Sequence, residues 1–138
     1  ENTGKTIKMN WITLEEIVLV HERVIAETGG LLGMVNPGGL ESALIRPFTA
    51  FSGYELFSDL HSKVAVLIDS IIAFHPFVDG NKRTALVAAD VCLRLNGYRL
   101  IPSDELEEFF WSIARGEKSV EDIIQFTKEH TERWPCVK

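Results

Sequence analysis

Apolar residues recur at helical spacing through most of this chain, and each such segment begins at a capping residue and ends at a glycine or proline. One segment follows Ser58 and Asp59, either of which can cap it, and its apolar stripe continues to Phe74. The pattern predicts an all-α fold. Further helices are predicted after the capping residue Thr13, over residues 40–46, over about 81–96, after Ser103, and from Ser119 to near Trp134.

Two stretches interrupt this pattern. Five glycines and Pro37 lie between residues 29 and 39 and are expected to prevent regular structure, and the short helix over 40–46 is expected to stop at Pro47. Residues 48–58 are aromatic and contain Gly53, so we predict an extended flap that covers the core or faces a substrate. The helix over 81–96 has few polar faces and is expected to be central and surrounded.

Composition predicts one domain over residues 1–138, with a core over about 11–134 that follows a polar segment, 1–10. The 14 Lys and Arg against 20 Asp and Glu give a net charge of −6, which argues against broad binding to nucleic acid or to an anionic membrane. No segment is apolar enough to span a membrane, and no secretory signal is present, so we expect a cytoplasmic protein. Cys92 and Cys136 are interpreted as one core and one tail cysteine rather than a disulfide.

The densest chemistry lies in residues 75–83, which read HPFVDGNKR immediately before the predicted helix over 81–96. Backbone N–H groups at a helix start, together with neighbouring cations, can converge on an anion, and the natural anion is a nucleotide phosphate. The candidate site therefore contains an imidazole, a carboxylate, a glycine, an amide and two cations: His75, Asp79, Gly80, Asn81, Lys82 and Arg83.

Each residue of this run suggests a role. Gly80 permits a positive φ and a close approach to a ligand, and Arg83 offers a charge-assisted fork to phosphates. Asp79 can hold Mg²⁺ beside those phosphates, cap the following helix, or do both. His75 can act as a general base, because imidazole is the side chain best suited to exchange a proton near neutral pH. His21 on the first helix is interpreted as a core histidine, since no second ligand lies at helical spacing.

Pro76 and Phe77 are interpreted as structural, with the Phe77 ring buried beneath the loop. The run contains no GxxxxGK(S/T) phosphate loop and no HExxH zinc pattern. Four acidic residues fall in the first turn of a predicted helix, where they suit a solvated capping face rather than a metal site: Asp104, Glu105, Glu107 and Glu108.

The run resembles the signature of the Fic/Doc superfamily, HxFx(D/E)GNGRxxR, and the matching residues are His75, Phe77, Asp79, Gly80, Asn81 and Arg83. The flanking segments GLLGMVNPGGLESALIRPF and LRLNGYRL resemble the death-on-curing (Doc) branch, so the resemblance covers about 11–101. It implies a compact Fic-like helical domain with a short flap before the motif, an ATP substrate and Mg²⁺.

Two departures from the general Fic pattern bear on the reaction. Lys82 replaces the second glycine and Leu86 replaces the final arginine. In Fic adenylyltransferases that glycine leaves room for the phosphate chain, and the arginine grips its far end. The Doc branch shares the lysine, which implies a reversed nucleotide that presents its γ-phosphate, and therefore a protein kinase. Gly80 is Fic-like where Doc carries alanine, so adenylyl transfer stays open.

The resemblance implies that His75 deprotonates a Ser/Thr hydroxyl, Asp79 holds Mg²⁺, and Lys82 with Arg83 neutralises developing charge. Gly80 and Asn81 would offer backbone or side-chain donors to phosphate. The resemblance to Doc further implies a toxin that targets translation elongation factor Tu and is restrained by a small antitoxin polypeptide that covers the active-site groove. The self-inhibitory motif (S/T)xxxE(G/N) has no intact copy here. A catalytically silent partner-binding module is a further alternative, against which the intact His75 and Asp79 count.

Overall fold

A computed structural model describes residues 9–134 of the chain. Within this range the protein consists of helices and two short two-stranded antiparallel sheets, which confirms the all-α prediction. The helices are α1 (Leu14–Thr28), α2 (Pro37–Ile45), α3 (Leu60–Phe74), α4 (Asn81–Leu95), α5 (Glu105–Ala114) and α6 (Val120–Glu129), and a 3₁₀ turn covers Arg46–Phe48. The strands are β1 (Ala50–Phe51), β2 (Tyr54–Glu55), β3 (Tyr98–Leu100) and β4 (Thr131–Arg133). No helix among the described residues is long and apolar enough to cross a membrane.

The central helix is α3, which packs against α2, α4 and α6. Its residues Val64, Leu67 and Ile71 are completely buried. The expectation that α4 would be the surrounded helix is wrong, because Val87 and Leu95 leave one side of α4 exposed. Both helices are rich in apolar residues, so apolar content alone did not show which of them is central. The small alanines of α4 let it pack closely against α3, while another side of α4 stays exposed.

Local capping chemistry sets several helix ends as predicted. Thr13 and Glu16 form both hydrogen bonds of a capping box at the start of α1, and Asp59 accepts a 2.7 Å hydrogen bond from the Ser62 N–H at the start of α3. At α5 the Ser103 hydroxyl accepts a hydrogen bond from the Glu105 N–H, although the cap position itself is Asp104. These ends are predictable because they depend on residues only a few positions apart.

The start of α2 differs from the prediction. The helix begins at Pro37 rather than at residue 40, because the Asn36 side chain accepts a 3.0 Å hydrogen bond from the Gly39 N–H and Pro37 suits the first helical position. Two glycines therefore lie inside the helix. A side chain at Gly39 would collide with Asn36, so this glycine is needed for close packing at the start of the helix and does not interrupt regular structure. The chain also continues through Pro47 as a 3₁₀ turn.

The C-terminal region contains a sheet that the sequence did not indicate. Helix α6 ends at Glu129 rather than near Trp134, and strand β4 then pairs with β3, with Tyr98 opposite Arg133 and Leu100 opposite Thr131. Three-residue strands that are far apart in sequence leave no periodic pattern to detect.

The predicted flap, residues 48–58, contains the β1–β2 hairpin and is largely exposed. A buried lysine holds its base: the Lys63 ammonium donates to the carbonyl oxygens of Pro47 and Phe57 and pairs with Glu55. The flap is therefore anchored at both ends by one cation while its tip stays in solvent.

Cys92 is buried and unpaired on α4, and burial raises the pKa of its thiol to about 12. The thiol is accordingly a core group and not a nucleophile, as predicted. Cys136 lies outside the described residues.

Candidate active site

A cavity of about 640 Å³ opens at the N-terminal end of α4. Its walls come from the end of α1 and the glycines that follow it, from the 75–83 motif, and from α5. The residues that line it are Thr28, Gly29, Gly30, Asp79, Gly80, Lys82, Arg83, Leu86, Ser103, Leu106, Glu107, Phe110 and Trp111. The structure therefore brings four predicted site residues, Asp79, Gly80, Lys82 and Arg83, to one cavity, whereas His75 and Asn81 are not part of its lining.

Asp79 lies in the loop before α4, and a residue outside that loop holds its side chain. One carboxylate oxygen, Oδ2, accepts a 2.8 Å hydrogen bond from the Leu31 N–H. The cap position of α4 is Gly80, and no side chain caps that helix. The capping role considered for Asp79 is therefore not observed, and its carboxylate faces the cavity region instead.

Gly80 is required for two reasons. Its φ is +80°, in the left-handed region, and a Cβ at this position would lie 3.0 Å from Ile25 Cδ1. The chain can thus turn sharply from the motif into α4, whose first N–H groups have no intrahelical partners and are free to donate to another group.

The Asn81 side chain is part of the fold. It is buried, its Oδ1 accepts from the Phe77 N–H at 3.0 Å, and its Nδ2 donates to the Phe77 carbonyl at 2.8 Å. Both polar atoms of the Asn81 side chain are thus bonded to Phe77, which favours the backbone N–H over the side chain among the donors considered for phosphate, and phosphate binding by Asn81 stays a prediction. Its backbone N–H, at the first position of α4, stays available for that role.

Phe77 and His21 form the base of the motif. Phe77 is 2% exposed, and its ring stacks on the His21 imidazole with 3.8 Å between centroids. His21 Nε2 donates a 2.8 Å hydrogen bond to the Asp79 carbonyl. Both residues are buried and structural, as predicted, and both support the main chain beside Asp79.

The two cations of the motif already contact α5. The Lys82 ammonium lies 4.1 Å from the centroid of the Trp111 ring, and Arg83 pairs with Glu107 at 3.1 Å. Glu107 is thus more than a solvated capping residue, because it faces the cavity and holds one of the predicted phosphate-binding groups. Both partners of this pair are more than half exposed, so the pair is weak and replaceable.

His75 lies at the C-terminal cap of α3, where its φ of +50° places it in the left-handed region. Its N–H donates to the Ile71 carbonyl at 3.1 Å, and its side chain is exposed. No described residue makes a hydrogen bond to the imidazole. The ring is therefore accessible to a group that arrives from solution.

The model of the Fic/DOC family matches residues 11–93, which is more than half of the chain. This chain belongs to the Fic/DOC family. Protein kinase doc of Escherichia phage P1 is 38% identical over 115 residues, which cover 83% of this chain and 90% of that protein. Toxin Doc of Mycolicibacterium smegmatis is 34% identical over 98 residues, 69% of this chain and 75% of that protein. Protein adenylyltransferase Fic of Drosophila virilis is 28% identical over 140 residues, 88% of this chain but 29% of that protein.

These Fic/DOC relatives confirm the predicted membership of the Doc branch. The matched range contains the whole motif and reaches the cavity walls on α1 and α4. Helix α5, which contributes Glu107 and Trp111, lies beyond it.

A Mg²⁺ ion fits this Fic/DOC site only as an ion shared with a nucleotide. The described residues contain no group of three or more His, Cys, Asp and Glu that would hold a metal by themselves. Mg²⁺ is commonly bound by one or two carboxylates together with substrate phosphates and water. Asp79 supplies one such carboxylate, with Oδ2 already oriented by Leu31.

Two residues of the cavity lining, Glu107 and Trp111, and the Leu31 N–H that holds Asp79 beside it were not predicted as site residues. The Leu31 N–H, Glu107 and Trp111 come from segments distant in sequence from the motif. The five glycines between residues 29 and 39 were the one available signal, because glycines often mark places where a backbone approaches another group closely.

Proposed function

We propose that this chain is a Doc-like toxin that transfers the γ-phosphate of ATP to a Ser or Thr hydroxyl of a target protein. The observation that carries this proposal is the position of Lys82 in the cavity. Its ammonium group lies on the cavity wall beside the start of α4, and Leu86 lines the same cavity where the general Fic pattern has an arginine. A nucleotide in the adenylyl-transfer pose would meet the lysine and lack the arginine, so the reversed pose is favoured.

The proposed phosphate site combines the N-terminal end of α4 with two cations. The first N–H groups of the helix donate to phosphate oxygens, and Lys82 and Arg83 add positive charge. Arg83 would exchange Glu107 for phosphate, which is feasible because an exposed ion pair contributes only about 0–1 kcal/mol. Bound Mg²⁺, held by Asp79, would neutralise the phosphates and the nearby carboxylate.

The transfer itself is a phosphoryl displacement. The acceptor hydroxyl oxygen forms a bond to the γ-phosphorus, while the bond from that phosphorus to the bridging oxygen breaks and ADP leaves. The hydroxyl proton passes to the His75 imidazole, whose exposed position suits an acceptor presented by another protein. Lys82 and Arg83 stabilise the charge that develops on the phosphate oxygens.

The similarity to Doc-branch relatives supports a kinase rather than an adenylyltransferase. A protein named a protein kinase aligns with this chain over 90% of its own length. By extension we propose translation elongation factor Tu as the leading target, the cytoplasm as the place of reaction, and a small antitoxin polypeptide that covers the cavity as the restraining partner.

Adenylyl transfer is the second candidate. Gly80 is the residue of the general Fic motif, and relatives named protein adenylyltransferase align with this chain. In that reaction the hydroxyl would attack the α-phosphorus and pyrophosphate would leave. The alignment covers 29% of the Drosophila virilis protein, so the kinase-named relative resembles the chain over far more of its length.

Labelled ATP separates these functions. Purified elongation factor Tu and a bacterial extract are incubated with the protein and with ATP labelled at either the α or the γ phosphate, alongside His75→Ala. We expect transfer of the γ label alone, and its loss in His75→Ala. Transfer of the α label would replace the kinase by an adenylyltransferase. Equal results for wild type and His75→Ala without transfer would favour a silent binding module.

Lys82→Gly tests the residue on which the proposal depends. We expect γ-phosphate transfer to fall about tenfold or more, since a hydrogen bond to a charged group contributes about 1.5–3 kcal/mol. Lys128→Gly makes the same change at an exposed position of α6 and is the control for helix destabilisation. Undiminished transfer by Lys82→Gly would remove this lysine from the mechanism.

A further inference from the structure

The segment that follows α1, residues 29–36, packs directly on the motif and is named here the glycine loop. Three main-chain hydrogen bonds join the two segments, and two of them define an isolated bridge between Met34 and Phe77. Val78 N–H donates to the Gly33 carbonyl at 3.0 Å, and the Val35 and Asn36 N–H groups both donate to the Pro76 carbonyl. The glycine loop therefore cannot move independently of the motif.

The contact continues to the carboxylate of Asp79. The Leu31 N–H donates to Oδ2 at 2.8 Å, whereas Oδ1 accepts no hydrogen bond from any described residue. A carboxylate that ligates a metal commonly has such a partner, which orients it and leaves the other oxygen for the ion.

Gly30 makes this approach possible. A Cβ at Gly30 would lie 3.2 Å from Asp79 Cβ, 3.4 Å from Oδ2 and 3.2 Å from Ile25 Cδ1, and the φ of Gly30 is +113°. Ile25 is buried and cannot retreat easily. A side chain at Gly30 would press on Asp79 and Ile25, and one of them would have to shift by a few tenths of an ångström. Gly29, the preceding residue, also has a positive φ, +87°, but a Cβ there would meet nothing within 4 Å.

The backbone on the other side of Asp79 is held as well. His21 Nε2 donates to the Asp79 carbonyl at 2.8 Å, and the His21 ring is fixed by its stacking on Phe77. The main chain and the side chain of this residue are thus positioned by two different parts of the N-terminal half. A displaced carboxylate could not be compensated by a shift of the loop.

We propose that Gly30 and the Leu31 N–H are positioning elements for the metal-ligating carboxylate of Asp79. This inference rests on the proposed function, in which Asp79 holds the divalent ion that accompanies the nucleotide. The glycine loop sets the affinity of the site for that ion without contacting the reacting atoms. The consequence is that metal affinity depends on a residue that bears no side chain and lies far from the motif in sequence.

The test compares Gly30→Ala with Gly29→Ala. Both replacements force alanine to adopt a positive φ, so both carry a similar backbone cost, but only Gly30→Ala presses on Asp79. The affinity of the protein for Mn²⁺ is measured by electron paramagnetic resonance in the presence of the non-transferable ATP analogue AMP-PNP. We expect Gly30→Ala to weaken Mn²⁺ binding about tenfold or more, the usual effect of losing such a partner. Gly29 also lines the cavity, but a Cβ there meets no part of Asp79, so Gly29→Ala is expected to lose far less Mn²⁺ affinity than Gly30→Ala.

A second variant removes the hydrogen bond alone and does not depend on Gly30→Ala folding. Replacing Leu31 by its α-hydroxy acid exchanges the N–H for an ester oxygen and keeps the side chain. The same exchange at Leu32, whose N–H donates to no described residue, is the control. We expect weaker Mn²⁺ binding for the Leu31 ester only.

Two results would overturn the inference. Equal Mn²⁺ affinities for Gly30→Ala and Gly29→Ala, together with no effect of the Leu31 ester, would show that the loop does not position the carboxylate. Unchanged Mn²⁺ binding in Asp79→Asn would overturn both the inference and the metal role of Asp79. Because metal binding is measured without transfer, a wild-type protein that binds Mn²⁺ normally yet transfers no γ-phosphate counts against the proposed kinase alone.

Discussion

At the scale of single residues, the motif divides into side chains that build the loop and side chains that face the cavity. Asn81 and Phe77 belong to the first group, because both are buried and the amide of Asn81 bonds the main chain of Phe77 twice. Asp79, Lys82 and Arg83 belong to the second. The sequence pattern alone does not separate these groups, since an asparagine beside a phosphate site is equally suited to either role.

Asn81→Ala tests this division. The change leaves the buried N–H and carbonyl of Phe77 without their partners, so we expect the free energy of unfolding to fall by about 2 kcal/mol or more. Urea denaturation provides the measurement. Gln125→Ala, on the exposed face of α6, is the control and should stay within about 0.5 kcal/mol of wild type. If Asn81→Ala is as stable as wild type but binds AMP-PNP more weakly, the Asn81 side chain acts in phosphate binding rather than in the fold.

At the scale of elements, helix starts followed the sequence where one short segment contained both partners of a cap. The capping box of Ser119 and Asp122 at α6 is an example, with both reciprocal hydrogen bonds formed. The end of α6 was predicted less well, because it depends on the pairing of β4 with β3. The flap was predicted as extended from its composition, but its anchor Lys63 is one turn inside α3 and became evident only in the fold.

The capping box of α6 makes stability depend on pH. Hydrogen bonds from the Ser119 main chain and hydroxyl lower the pKa of Asp122 below its ordinary value of 3.8. A depressed carboxyl pKa stabilises the fold above pH 3.8, and this contribution is lost as the pH falls through the folded-state pKa. We expect wild type to melt at a higher temperature than Asp122→Asn at pH 7, and the difference to shrink in acid below pH 3.8.

Glu121→Gln removes a carboxylate from the same first turn without removing a capping hydrogen bond, and it serves as the control. Thermal melts of the three proteins across this pH range supply the measurement. A difference between wild type and Asp122→Asn that stays constant into acid would show that the ionised carboxylate does not support the cap.

Lys63→Met tests the flap anchor. The variant keeps the buried volume but leaves the Pro47 and Phe57 carbonyls without their donor. We expect a loss of about 2 kcal/mol in stability and faster amide hydrogen exchange within residues 48–58. Lys128→Met removes only a 4.0 Å pair with Asp59 between two half-exposed side chains, so it should cost less than about 1 kcal/mol and leave exchange in the flap close to wild type. Unaltered exchange in the flap of Lys63→Met would mean that the hairpin holds its own conformation.

At the scale of the whole molecule, the cavity exists because three distant parts of the chain meet at the start of α4. The glycine loop supports Asp79 from one side, and α5 presents Trp111 and Glu107 from the other. The Arg83–Glu107 pair spans this cavity wall and joins α4 to α5. A phosphate that enters must compete with Glu107 for the arginine.

Glu107→Gln tests that competition. The variant removes a negative charge that faces the phosphate site, so we expect AMP-PNP to bind about fivefold tighter, which corresponds to about 1 kcal/mol. Stability should change by less than about 1 kcal/mol, because the pair is exposed. Glu108→Gln breaks the pair with Arg115, which is not part of the cavity lining, and is the matched control. Equal affinities in the two variants, measured by calorimetry, would exclude competition by Glu107.

The sequence by itself determined the helical class, most of the helix starts, the buried roles of Phe77 and His21, and the position of a charged motif at the start of α4. The helix starts and the position of the motif depend on side chains within a turn or two of each other, so local spacing encodes them. For Phe77 and His21 the sequence indicated burial but not that the two rings stack on each other. Only the tertiary structure decided that α3 is central, that β3 pairs with β4, and which groups complete the cavity around Asp79. Those results depend on where separate elements pack against one another. The Leu31 N–H that holds the Asp79 carboxylate is a main-chain group, and every residue except proline has one, so the residue type at position 31 does not indicate this contact.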